Sequence, residues 1–275
     1  MRLLVTLQTS SEMAVTDEVN YKIRGLLWNY LENTMFSSLH SSSNIPTFTF
    51  SNIFPEGGFT NISETFSEGQ KCQLMISSPH DQMVNTIKQK LEQVESIEIG
   101  DYKFSVMSVE PLMVDVGGVG STGVVKTSTG LYLRLPEEER EKYGIEVDYE
   151  GVISWVPDFG LDVFRERFMD NILWKLDKLR PHMGNPSSFS DLFKSIEILT
   201  VMEKELNVTE DHRKTFISPV CQFEYHIATE SQQTWLNLLL DSGLGWRNSL
   251  GIGFTNVVES DKENNPYIGQ NSIHN

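Results

Sequence analysis

Imidazole is the side chain whose ordinary pKa, about 6.5, lies nearest neutral pH, so the histidines are the first candidates for proton-transfer chemistry. The six stand at positions 40, 80, 182, 212, 226 and 274. No two of them form an HxH, an HExxH or a two-His-carboxylate spacing, so the pattern lends no support to a catalytic metal. His40 differs from the rest by position: it follows a helical pattern and precedes a strong strand pattern. A second candidate is the stretch Gly243-Leu244-Gly245-Trp246-Arg247-Asn248-Ser249-Leu250-Gly251-Ile252-Gly253-Phe254. Glycine permits positive φ and close approach of another backbone. Exposed N–H groups in such a loop form a concave anion site, and the planar fork of Arg247 suits phosphate. A glycine-rich turn between a helix and a strand accounts for the same residues with no ligand, so the glycines alone leave both readings open.

Gly118-Val119-Gly120-Ser121-Thr122-Gly123 matches GxGxxG. A dinucleotide site needs a helix after that loop, and Val124-Val125-Lys126-Thr127 is strand-like. The segment reads as a β connection in which Ser121 is a candidate phosphate contact. A nucleotide-binding enzyme built on it is a rival reading. No GxxxxGK[ST] segment is present.

The elements that must position these residues follow from periodicity. Residues 3–8 read as a strand, 17–32 as a helix with Val19, Ile23, Leu26, Leu27, Tyr30 and Leu31 on its apolar face, and 47–54 as a strand. Residues 73–78 read as a strand, 81–94 as a second helix and 103–109 as a strand punctuated by Glu110-Pro111. That order, βαββαβ, is the ferredoxin-like unit. It recurs more loosely: β-rich pieces over 123–135, an exposed acidic segment 136–143, a short strand 151–156, a long helix 161–179, strands 195–202 and 215–227, a helix 232–240, the glycine loop and a strand 252–258. The expected fold class is α+β, with two tandem ferredoxin-like domains that meet near residues 110–117. Residues 259–275 are polar, Asn-rich and unpatterned, and are expected to be mobile.

Composition bounds the rest. The 275 residues are 39% hydrophobic, enough for a buried core. No apolar run approaches the ~20 residues of a membrane span. Residues 1–8 read as a strand rather than a signal peptide, and Cys72 and Cys221 form no pair, which fits a reducing cytoplasm. A net charge of −16 counts against a nucleic-acid binder, whose footprint is usually basic. Solubility or a salty host accounts for such acidity. Any phosphate contacts would then fall to backbone N–H groups and a few local cations.

The helix Tyr21-Lys22-Ile23-Arg24-Gly25-Leu26-Leu27-Trp28-Asn29-Tyr30-Leu31, then Leu39-His40, then Phe48-Thr49-Phe50-Ser51, and far downstream the glycine loop, together resemble one family. It is that of the CRISPR-associated endoribonucleases of the RAMP superfamily, which process precursor CRISPR RNA. The resemblance spans roughly residues 1–258, with the middle matched by architecture more than by motif. It implies a domain of residues 1–112 that carries the catalytic His and a domain of residues 113–258 that carries the glycine loop. It implies cleavage without metal or other cofactor: His40 takes the proton of a ribose 2′-OH, which attacks the adjacent phosphate and leaves a 2′,3′-cyclic phosphate and a 5′-OH. The implied partners are CRISPR repeat RNA, precursor and mature, and other subunits of an interference complex. The implied RNA-binding residues are Gly243, Gly245, Arg247, Asn248, Ser249, Gly251 and Gly253, with Lys22, Arg24 and Ser121 as further contacts. The chain departs from the family pattern in one respect. Trp28 and Pro46 fall where some members place a Tyr and a Lys, and no Lys or Arg occurs between Arg24 and Lys71. Ser41, Tyr21, Lys22 and Arg24 are candidate substitutes. A non-catalytic RAMP subunit that only holds CRISPR RNA is the rival, opposed by the intact Leu39-His40.

Overall fold

The structure, a computed structural model, describes residues 1–14, 17–41, 47–56, 65–146, 153–209 and 212–260. The first half is built on β1 (Arg2–Thr9), which is buried on both faces. Leu3, Val5 and Leu7 enter one core, while Leu4 enters a second, smaller one on the opposite face. That double burial explains why the strand alternates only weakly in sequence. Then come β2 (Met13–Ala14), α1 (Asp17–Leu31), β3 (Thr49–Phe50), β4 (Phe54–Pro55), β5 (Thr65–Phe66), β6 (Lys71–Ser77), α2 (Asp81–Glu92), β7 (Ser96–Ile99) and β8 (Tyr102–Leu112). Every fourth residue of α1, namely Val19, Ile23, Leu27 and Leu31, is buried against Leu3, Val5 and Leu7, as are Met83, Val84, Ile87 and Leu91 of α2.

The second half comprises β9 (Thr122–Thr127), β10 (Arg134–Leu135), α3 (Glu137–Lys142), β11 (Ile153–Ser154), α4 (Leu161–Leu179), β12 (Ser195–Thr209), β13 (His212–His226), α5 (Glu230–Ser242) and β14 (Thr255–Ser260). The first sheet runs β3-β6-β1-β8-β7 and the second β12-β13-β9-β14. Their pairs are antiparallel. In each half the last strand pairs with the first and the third lies between first and second, which is the split βαβ arrangement of a ferredoxin-like unit. The fold is α+β, with one such unit in each half.

Several elements differ from their expected form for identifiable reasons. The strand expected over 47–54 is two short bridges, because Ser51 Oγ takes the N–H of Met75 (2.9 Å) and the pairing with β6 slips by one residue before Phe54. β8 passes through Glu110-Pro111, because β7 ends opposite Ser105 and leaves the upper half of β8 as an edge, where a missing N–H is tolerated. The acidic segment 136–143 is not simply exposed: it forms α3, with three glutamates at the positive end of the helix and Arg140 buried. β7 was not foreseen. β12 and β13 are each 15 residues, much longer than expected, and β12 lies against α1. Of the tail, residues 261–275 lie outside the described residues.

The halves meet through two mixed clusters. Leu4, Phe54 and Met75 of the first pack on Phe254 of the second. Tyr132, Phe216, Leu250 and Ile252 of the second receive Tyr21 of the first. Between them the fully buried Arg2 donates to Leu240 O (2.8 Å), Thr255 O (2.8 Å) and Asn256 Oδ1 (3.2 Å) and lies 3.5 Å from Asp241.

Candidate functional site

α5 starts with a capping box, in which Thr229 Oγ1 accepts the N–H of Gln232 (3.2 Å), and ends at Ser242. The glycine loop follows and returns the chain to β14. Its backbone doubles back on itself. A Cβ at Gly253 (φ 73°) would fall 1.7 Å from Leu244 O, and one at Gly251 (φ 75°) would fall 2.5 Å from the ring of Phe50 on β3. Only glycine permits both the left-handed backbone and these contacts. The N–H of Leu244 goes to Gly253 O (2.8 Å), that of Trp246 to Tyr132 O (2.9 Å) and that of Gly253 to Gly130 O (2.7 Å). Gly243 and Gly245 are likewise buried. These glycines thus serve a tight internal packing rather than an open cradle of amides.

Asn248 staples the loop from inside. Its Nδ2 donates to Leu244 O (2.9 Å) and Ile252 O (2.8 Å), one on each arm. Its Oδ1 accepts from Lys175 Nζ (2.7 Å), and the same ammonium donates to Gly243 O. Lys175 comes from α4 and is 1% exposed. Burial pushes its ammonium well below the ordinary lysine pKa. One turn earlier on α4, the fully buried Asn171 has no partner for either amide atom among the described residues.

The residue before Asn248 points the other way. Arg247 is exposed, holds a left-handed backbone (φ 63°) and places its guanidinium 5.5 Å from the ring centre of Tyr132. Tyr132 meets Phe216 edge-on at 5.0 Å. Trp246 is flanked by Trp174 at 4.7 Å and by the Arg134 guanidinium at 5.1 Å. Across the junction, Tyr21 of α1 packs on this aromatic group, and Arg24 lies one turn further along the helix. Burial pushes the Arg24 guanidinium below its ordinary range. Tyr21 opposes that push and the charge of Arg247 adds to it. Arginine stays charged in proteins, so this downward push marks a largely buried cation that also feels the charge of Arg247. Among the described residues neither is in an ion pair with a carboxylate, and Arg24 Nε is buried with no hydrogen-bond partner.

α1 leads from Arg24 through Trp28, whose ring tilts against Phe48 at 5.2 Å, to Leu31. Beyond it, His40 lies in a turn of 3-10 helix, Ser37–Ser41, held by the half-buried Leu39 on the first core. The side chains of His40 and Ser41 fall outside the described part of the structure, as does Pro46.

Of the residues singled out in sequence, the structure brings Arg24, Arg247 and Tyr21 together at the junction of the halves. Ser249 lies in the helical turn Asn248–Leu250 that Arg247 precedes, whereas the Asn248 amide is taken up inside the loop. Lys22 is turned about 200° around α1 from Arg24, and its stem lies 3.2 Å from where a Cβ would stand on Gly100. Ser121 stands at the opposite end of β9, about 20 Å of strand away from the loop. Its N–H and C=O are engaged by Gly118 O (3.0 Å) and Ile227 N (2.8 Å). A cavity of about 590 Å³ lies at that end, lined by Thr122, Lys194, Glu224, Tyr225, His226 and Glu259 among others. The GxGxxG segment runs into β9, not a helix. Among the described residues, no group of three or more His, Cys, Asp or Glu is placed to hold a metal ion, and no helix is long and apolar enough to cross a membrane. Sequence reading missed Lys175, Tyr132, Arg134 and Trp174. The signal for Lys175 was present: Arg167, Asn171 and Lys175 recur every fourth residue beside an apolar face, and all three are buried.

Comparison with solved structures gives the fold. A RAMP protein described as binding different RNA substrates superposes with a TM-score of 0.70 at 18% identity, over 94% of this chain and 100% of that one. The protein of a Cas6-related gene from Pyrococcus furiosus superposes with a TM-score of 0.65 at 18% identity, over 94% and 98%. At that identity the likeness establishes the RAMP fold alone. No protein-family model matches the chain. Sequence relatives narrow the class. The CRISPR-associated endoribonuclease Cas6 of Haloferax mediterranei is 31% identical over 264 residues, 95% of each chain. A second, named CRISPR-associated endoribonuclease Cas6 2, from Methanocaldococcus jannaschii, is 23% identical over 94% of this chain and all of its own. The chain belongs to the Cas6 family of CRISPR-associated endoribonucleases.

Proposed function

We propose that the protein matures CRISPR RNA by cutting its repeat without a metal ion, and that Arg24 and Arg247 hold the phosphodiester beside His40. The observation that carries this reading is the pairing of two guanidiniums from opposite halves with no described carboxylate partner. A phosphate is the group that neutralises such cations, and Arg binds it through two parallel hydrogen bonds. In this reading residues 1–112 supply the base and residues 113–258 the loop. His40 removes the proton of the ribose 2′-OH, the alkoxide attacks the neighbouring phosphorus in line, and the 5′-oxygen leaves with a proton. The products are a 2′,3′-cyclic phosphate and a 5′-OH. Negative charge grows on the phosphate oxygens in the transition state, where preplaced cations act most strongly. The guanidiniums thereby stand in for the Lys that Pro46 replaces. Precursor and mature repeat RNA are the ligands in this reading. Other subunits of an interference complex receive the product, and the cytoplasm is where this takes place.

The test is single-turnover cleavage of the host's own repeat RNA. His40→Ala is expected to lower the rate by about 100- to 10,000-fold, the usual contribution of positioned acid–base catalysis, with RNA affinity little changed. Excess chelator should leave wild-type cutting intact, and the upstream fragment should carry the mass of a cyclic phosphate. Undiminished cutting by His40→Ala, or a strict magnesium requirement, overturns the chemistry.

A further inference from the structure

We infer that Lys175 is a positioning residue for RNA binding: from inside α4 it fixes the aim of Arg247 through Asn248. This rests on the reading that Arg247 contacts RNA phosphate.

The geometry forms one continuous chain of contacts. Lys175 Nζ binds Asn248 Oδ1 at 2.7 Å and also Gly243 O, at the start of the loop. Asn248 Nδ2 binds Leu244 O at 2.9 Å and Ile252 O at 2.8 Å. One side chain is thereby tied to both arms of the loop and to the helix beneath it. Arg247 is the adjacent residue, and its left-handed backbone (φ 63°) is unfavourable for a side chain of that size. Such a conformation persists where its surroundings over-determine it. The tie on Asn248 does this from one side, and the hydrogen bond from the Leu250 N–H to Arg247 O (2.9 Å) does it from the other. Trp246, the residue before Arg247, rests on Trp174, the residue before Lys175, so α4 holds the loop at two successive positions.

A buried lysine needs a reason. An unpaired ammonium in an apolar interior is costly, and packing alone would be served by Met or Leu. Here the donors of Lys175 reach two acceptors that an apolar side chain would leave unmet. The site is therefore built to hold the loop's conformation. That conformation determines whether the Arg247 guanidinium stands over Tyr132 or elsewhere.

The experiment is a double-mutant cycle read as affinity for repeat RNA, with Lys175→Met and Arg247→Ala made singly and together. Arg247→Ala must first weaken wild-type binding. If it does not, the reading of Arg247 fails, whatever Lys175 does. Given that loss, Lys175→Met is expected to weaken binding by about tenfold, the worth of one charged hydrogen bond, and to add nothing in the Arg247→Ala background. A second readout is independent of RNA: native-state trypsin cleavage between Arg247 and Asn248 should accelerate in Lys175→Met. Should that variant not fold, Asn248→Ala cuts the same tie from the other end and takes its place in the cycle. Equal losses in both backgrounds, or unchanged affinity with unchanged trypsin cleavage, overturns the inference.

Discussion

The segments 118–123 and 243–253 are both glycine-rich, and they sit at opposite ends of β9. At Gly120 the backbone has φ 91° and a Cβ would meet nothing within 4 Å, so glycine there serves only the turn. At Gly253 a Cβ would run into Leu244 O at 1.7 Å, so glycine there admits a second backbone. The first segment adjoins a cavity of mixed charge that contains Lys194, Glu224 and Glu259. The second presents Arg247 beside Arg24 with no described carboxylate between them. A glycine count does not separate these cases; what the glycines bring together does.

The contrast is testable first at the backbone. Gly253→Ala is expected to cost more than about 4 kcal/mol, enough to unfold a marginal domain, since both the clash and the positive φ must be accommodated. Gly120→Ala should cost only about 1–2 kcal/mol, the penalty of a left-handed alanine. Urea midpoints measure both, and similar costs would mean that the two turns are equivalent. The next test is the ligand. Arg247→Ala and Arg24→Ala should each weaken RNA binding by roughly tenfold and reduce the slope of log affinity against log salt by about 1, as loss of a phosphate contact does. Ser121→Ala should change affinity by less than about twofold, as positions away from a contact do. A further effect concerns Lys175. Its folded pKa lies below its unfolded one, so between the two values the unfolded chain holds the extra proton and stability rises with pH. Relative to Lys175→Met, wild type should gain at most about 1.4 kcal/mol per pH unit as pH climbs from the depressed value towards 10.5. A flat difference over that window would contradict the depressed ammonium.

Much of this architecture was legible from periodicity. Val19, Ile23, Leu27 and Leu31 announce α1, and Met83, Val84, Ile87 and Leu91 announce α2, because each helix buries one face against one sheet. Arg24 and Arg247 were legible as residue types that suit phosphate. Their meeting was not, since it depends on how two units dock, which no local pattern encodes. Lys175 was overlooked for a different reason: a lysine in Trp174-Lys175-Leu176-Asp177 reads locally as a solvated position, and its burial shows only in the four-residue recurrence with Arg167 and Asn171. Tyr132 and Arg134 fell in a stretch read as β-rich pieces, where nothing in the spacing says which side faces the loop.

Arg2 has a consequence for how the molecule is made. Its guanidinium closes on Leu240, Thr255 and Asn256, more than 230 positions away along the chain. A ribosome delivers the first of these groups long before the others, and loop closure over such a span is slow. Until then β1 presents its Leu4 face with no Phe254 to cover it. Until the second half emerges, Arg2 and the Leu4 face lack the partners that they have in the finished fold. Arg2→Met would relax that late step.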